Sequence, residues 1–139
     1  MKQELLTRDQ FREQCLIRDK NQCVICGSTD NLSVHHIIER RLFGDGGYYM
    51  DNGATVCEPH HILAETTELS CEEVRAAAGI LTTRIPEDYY PDIRYSKWGD
   101  VILTNGTRMK GPLFNDDSVQ KILKKGNVLP LYTNYVKYP

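Results

Sequence analysis

With 139 residues, the chain has room for one domain, or for a small domain with an extension. Its 40% apolar content is ordinary for a globular protein, and no apolar run approaches the roughly 20 residues of a membrane span. A net charge of -2 excludes a globally basic nucleic-acid binder, although the charge is unevenly spread: residues 1–69 hold 7 Lys/Arg against 11 Asp/Glu, whereas residues 93–139 hold 8 against 3. That basic C-terminal third can contact phosphates or can be an ordinary solvated surface.

Thr7 followed by Gln10 reads as a capping box, which predicts a helix from about Arg8 to Asp19 with Phe11, Cys15 and Leu16 near one face. Cys23-Val24-Ile25-Cys26-Gly27 reads as a tight turn carrying two thiols. Leu32-Ser33-Val34 begins a short alternating strand that ends in His35-His36-Ile37-Ile38. A glycine-rich loop over residues 39–51 follows, then a second short strand from Gly53 to Val56. A helix opens at Cys57-Glu58-Pro59-His60-His61, with Pro59 in its first turn, and is expected to run to about Leu69. Ser70 and Glu73 form another capping box, predicting a helix to about Ala78 stopped by Gly79. Pro86 and Pro91 bracket a tyrosine-rich connector. Asn105-Gly106 predicts a hairpin between Val101-Ile102-Leu103 and Thr107-Arg108-Met109. A helix capped by Asp117 or Ser118 is expected to reach about Lys125, with an extended tyrosine-rich end after it. These elements predict an α+β fold, divided into a core over residues 1–79 and an extension over residues 80–139.

The start, Met1–Arg12, is polar and carries no secretory signal pattern, so an intracellular, reducing setting is expected. There, five cysteines argue against a disulfide framework and for metal ligation. Thirty residues separate Cys23-x2-Cys26 from Cys57-x2-His60. Two such knuckles supply four soft ligands for one tetrahedral structural Zn²⁺, because two intervening residues let one turn bite an ion twice. A redox role for Cys23 and Cys26 is the alternative. Cys15 and Cys71 stand alone on helical patterns and read as small core residues.

Between and after the knuckles come Val34-His35-His36-Ile37, Asp51-Asn52-Gly53 and His61. Over residues 11–69 this order and spacing resembles the HNH (ββα-metal, or His-Me finger) endonuclease family. It departs from the commonest pattern at His60, where a fourth zinc cysteine is usual, and at His35, where an aspartate is frequent. The resemblance implies a zinc-stapled ββα-metal core and hydrolysis of a phosphodiester in nucleic acid, most naturally DNA. It also implies roles: His36 as general base, His35 and His61 as ligands of a catalytic divalent ion (Mg²⁺, Mn²⁺ or Ni²⁺), and Asn52 as the residue that ties the loop and positions the base. Glu65 lies four residues after His61 on the same helix face, so it can be a third ligand, directly or through water, or a solvated carboxylate. Spacing favours His60 for the zinc, with exchange between His60 and His61 as the alternative.

Arg40 and Arg41 follow the base on one loop and can grip a phosphate backbone, as can Arg108 and Lys110 on the hairpin. Gly44-Asp45-Gly46-Gly47 can allow close approach of nucleic acid, but lacks the Lys-Ser/Thr of a P-loop. Tyr89, Tyr90, Tyr95, Trp98, Tyr132, Tyr135 and Tyr138 can stack on bases or build a second core. The extension can also dock a protein partner or join a fused domain. The competing expectation is a non-catalytic zinc-bound module that binds nucleic acid or protein.

Overall fold

The computed structural model describes residues 4–133. It is a small mixed α+β structure with four α-helices and two small sheets among the described residues. No helix among them is long and apolar enough to cross a membrane.

The first helix, α1 (Arg8–Arg18), begins at the expected capping box: Gln10 N–H donates to Thr7 Oγ1, and the Gln10 side chain accepts from Thr7 N–H. Its Phe11 and Cys15 are buried against a two-stranded antiparallel sheet of β1 (Ser33–His36) and β2 (Gly53–Val56). The register sets His35 opposite Ala54 and His36 opposite Gly53. Gly53 has to be glycine, since a Cβ there would sit 2.5 Å from the Phe11 ring. Arg18 and Asp19 lock the end of α1 to this sheet. The Arg18 guanidinium donates to the Met50 and Gly53 carbonyls at 2.7 and 2.6 Å, and Asp19 accepts from Thr55 N–H at 2.9 Å.

The segment between β1 and β2 contains two short 3-10 turns, Arg40–Leu42 and Met50–Asn52. Then α2 (Glu58–Glu65) starts at Cys57 with Pro59 in its first turn. It stops four residues before the expected end near Leu69. The reason is tertiary: Thr67 is held in the left-handed region by its neighbours, with the Arg108 guanidinium donating to its Oγ1 at 2.6 Å. Next, α3 (Cys71–Ala77) opens on the Ser70/Glu73 capping box. Ile37, Ile38, Phe43, Ala54, Ala64, Cys71, Val74 and Ile80 form one core. Each large apolar side chain buried there contributes roughly 1.5–3 kcal/mol.

The second sheet has three strands, β3 (Arg94–Tyr95), β4 (Val101–Ile102) and β5 (Arg108–Met109), all antiparallel. The hairpin lies where Asn105-Gly106 predicts it. Its turn closes from Gly106 N–H to Leu103 C=O, with Gly106 at φ +89° and Leu103 N–H returning to Thr107 C=O. The loop therefore has three residues, with glycine taking the left-handed position. β3 has no counterpart among the expected elements. The last helix, α4 (Asp117–Lys125), is capped one residue earlier than expected, by Asp116. It packs Val119 and Leu123 with Trp98, Phe114, Leu129 and Tyr132 into a second core. Trp98 and Tyr132 thus serve packing, Tyr89 and Tyr95 tilt against each other at 4.5 Å, and Tyr90 is exposed. Tyr135 and Tyr138, and most of the expected extended end, lie outside the described residues.

Candidate metal centres and active site

The first cluster comes from the two knuckles. Gly27, at φ +79°, closes the turn after Cys26 by donating to Cys23 C=O. Cys57 sits at the N-cap of α2, and His60 lies one turn inside that helix. The donor atoms of Cys23, Cys26, Cys57 and His60 all lie within 4.8 Å of one another. Cys23 Sγ is 3.7 Å from His60 Nδ1, Cys26 Sγ is 3.7 Å from Cys57 Sγ, and Cys57 Sγ is 3.2 Å from His60 Nδ1. A tetrahedron with Zn–S arms of about 2.3 Å has edges of about 3.8 Å, so the donors already stand at zinc-binding separations. Burial opposes charge on Cys23, but backbone hydrogen bonds at Cys57, Cys26 and Ile25 outweigh it and bring the thiol down to about 6. This Cys3His set fits structural zinc in both chemistry and spacing. By contrast, burial pushes Cys15 and Cys71 up to about 11, which suits inert core thiols.

A second cluster lies on the other side of α2. Alternation along β1 sends Ser33 and His35 toward α2, while Val34 and His36 face α1. His60 and His61 are neighbours on a helix, about 100° apart, so they face different clusters. The ligating atoms of His35, His61 and Glu65 lie within 4.8 Å of one another. His61 Nε2 is 3.0 Å from Glu65 Oε1, and its Nδ1 is 3.1 Å from Ser33 Oγ. His35 is 2% exposed, and its Nδ1 has no hydrogen-bond partner. Burial, with Lys97, His61 and His36 adding to it, holds His35 well below the ordinary imidazole value. Burial works against the charge on Glu65, but the His61 hydrogen bond and the Lys97 charge outweigh it and lower its pKa. Two imidazoles and a carboxylate make a donor set that suits a divalent transition metal.

His36 stands on the opposite face of β1. Its ring stacks on Phe11 at 4.6 Å and meets the edge of Tyr48 at 5.2 Å. Burial is the main cause that lowers it to about 4, Lys97 and Arg40 add to this, and Glu65 opposes them. The imidazole is therefore neutral at pH 7. Its Nε2 is buried without a partner.

Asn52 is fully buried and holds the segment that follows His36. Its Oδ1 accepts from Ile38 N–H at 2.9 Å, and its Nδ2 donates to the Ile38 and Gly47 carbonyls at 3.0 and 3.3 Å. The glycine-rich loop serves its own fold. Gly46 and Gly47 adopt positive φ, Phe43 packs where a Gly47 Cβ would be, and Asp45 accepts from Gly47 N–H and from the Tyr49 hydroxyl.

The residues expected to grip phosphate separate into two groups. Arg40 is exposed and donates to Tyr48 Oη at 3.2 Å, and Lys110 is exposed. Arg41 is tied to Asp116 at 3.2 Å and to Glu39 at 3.8 Å. Arg108 corrects the sequence expectation: it is buried, with its guanidinium on Thr67 and over the Tyr132 ring, because the hairpin packs that side chain inward.

No family model, curated protein or solved structure matches the chain.

The site also involves Lys97, which the sequence pattern did not single out, and Trp98, which that pattern offered only for stacking or core packing. The turn after β3 reaches back onto both halves of the site. Buried Lys97 donates from Nζ to His36 C=O at 2.8 Å and accepts Glu39 N–H at its own carbonyl. Trp98 Nε1 donates to Glu65 C=O at 2.7 Å. Burial lowers the Lys97 pKa, against the opposing pull of Glu65 and Glu39. Sequence spacing offers no signal for this clamp, because its residues lie 33 or more positions from those they hold.

Proposed function

We propose that the chain is a metal-dependent endonuclease of the HNH type, with β1, β2 and α2 forming a ββα-metal core around one catalytic ion. The observation that carries this reading is the convergence of His35, His61 and Glu65 donors within 4.8 Å, beside a neutral His36 on the same strand. The Cys3His set would hold structural zinc and fix β2 and α2 relative to the first knuckle.

A divalent ion held by His35, His61 and Glu65 would supply charge relief at the leaving oxygen of a phosphodiester. The chain's own residues do the rest. His36 is neutral near pH 7 and takes the proton of the attacking water. Ser33 orients His61 through its Nδ1, Asn52 fixes the backbone beyond His36, and Lys97 fixes the His36 carbonyl. Imidazole-rich donor sets favour Mn²⁺ or Ni²⁺ over Mg²⁺, which prefers oxygen ligands, so the ion expected here is of the former kind.

The test is cleavage of plasmid and labelled oligonucleotides, DNA and RNA, across Mg²⁺, Mn²⁺ and Ni²⁺ with a chelator control. Under single-turnover conditions His36→Ala is expected to slow cleavage by about 10²–10⁴-fold with folding retained. A His36→Ala chain that cuts as fast as the parent removes the base assignment. A parent that cuts nothing with any ion, and carries zinc alone, is a binding module and not an enzyme.

A further inference from the structure

The largest charge surplus in the sequence lies in residues 93–139, yet the structure withdraws much of it. Lys97 and Arg108 are buried, and Arg94 is paired with Glu72 at 2.6 Å. Apart from buried Lys97, the cations nearest the open side of His36 come from the net-negative half of the chain. A cleft of about 460 Å³ opens between α1 and the loop after β1, and Arg8, Arg12, Ser33, His36, Arg40 and Tyr48 are among its lining residues. Among the described residues Asp9 is the only carboxylate in that lining, against three guanidinium groups.

We propose that this cleft is the path of the substrate strand, with Arg8 and Arg12 holding the phosphates beside the scissile one and Arg40 flanking the reaction centre. The inference rests on the nuclease reading and names the part of the site that binds the phosphodiester backbone. Arg8 and Arg12 are four residues apart on α1, so they share one helix face with about 5–6 Å between Cβ atoms, close to the spacing of neighbouring phosphates. Both are exposed, and neither takes part in an ion pair among the described residues. Ser33 links the cleft to the ion-binding cluster: it lines the cleft, and its Oγ lies 3.1 Å from His61 Nδ1. A strand lying along it would thus run from the α1 arginines, across the His36 ring, to the edge of the His35, His61, Glu65 cluster.

The experiment is fluorescence anisotropy of labelled single-stranded DNA, duplex DNA and RNA over a salt series. It uses the zinc-loaded full chain with no second ion added. The variants are Arg8→Gln/Arg12→Gln and, as a control on the basic C-terminal surface, Lys121→Gln/Lys124→Gln. Losing two phosphate contacts is expected to reduce the slope of log K against log salt by about 1.4 on a single strand or about 1.8 on a duplex. The control is expected to keep the parent slope. Comparing DNA with RNA, and single strand with duplex, shows which form of the backbone the cleft accepts. Thermal melts check that both variants fold. If Arg8→Gln/Arg12→Gln binds with the parent affinity and slope, the proposed path is wrong, while the nuclease reading stands on its cleavage assay. If the parent binds none of the oligonucleotides, the proposed path also falls, and the nuclease reading is decided separately by its cleavage assay.

Discussion

The two donor clusters draw on adjacent residues of α2, His60 and His61, yet they differ in donor chemistry and exposure. One has four donors, three of them thiols, already at the edge lengths of a zinc tetrahedron. The other has three harder donors, with the His61 and Glu65 side chains 35% and 29% exposed, so an ion held there would keep coordination positions for water or substrate. A filled set of soft ligands holds a fold together, whereas an open set of imidazole and carboxylate can work on a substrate. The helix serves both because its 3.6-residue turn rotates neighbouring side chains about 100° apart.

The sharpest way to break the comparison is to remove zinc. Structural zinc is worth roughly 10–16 kcal/mol of apparent folding free energy in zinc-finger peptides. Chelation, or Cys57→Ser, is therefore expected to abolish the cooperative thermal unfolding transition. A chelated chain that melts like the loaded one would make the first cluster dispensable.

A smaller effect is expected at Asn52. Asn52→Ala leaves both the Ile38 N–H and its carbonyl unpaired in the interior, each at a cost of about 1–3 kcal/mol. The urea midpoint should fall accordingly, and cleavage should fall with it because the backbone after His36 loses its anchor. An unchanged midpoint would show that the loop is held by other contacts.

Lys97 offers a finer distinction. In Lys97→Met the charged hydrogen bond to His36 C=O is lost, but so is the cost of burying an ammonium. Stability is expected to change by less than about 2 kcal/mol, while single-turnover cleavage slows. A variant that loses stability but cleaves normally would make Lys97 a fold residue only.

These predictions separate what the sequence makes legible from what it hides. Both capping boxes, the β1–β2 pair, the hairpin and the grouping of Cys23, Cys26, Cys57 and His60 follow from local patterns, because caps, alternation and knuckle spacing act over a few residues. Glu65 beside His61 follows from helical periodicity. The Lys97–Trp98 clamp, the early end of α2 at Thr66 and the inward turn of Arg108 do not, since each is decided by a partner far along the chain. Charge counting is also misleading here: the basic third buries part of its surplus, while Arg8 and Arg12 are exposed on a helix from the acidic half, with no ion pair among the described residues.

The most direct measurement is Mn²⁺-dependent single-turnover cleavage by the zinc-loaded chain and by His61→Ala, with zinc content and melting temperature recorded on the same samples. The division of labour predicts that His61→Ala loses cleavage while keeping one zinc and its melting temperature within a few degrees. Undiminished cleavage, or loss of zinc together with activity, would contradict it.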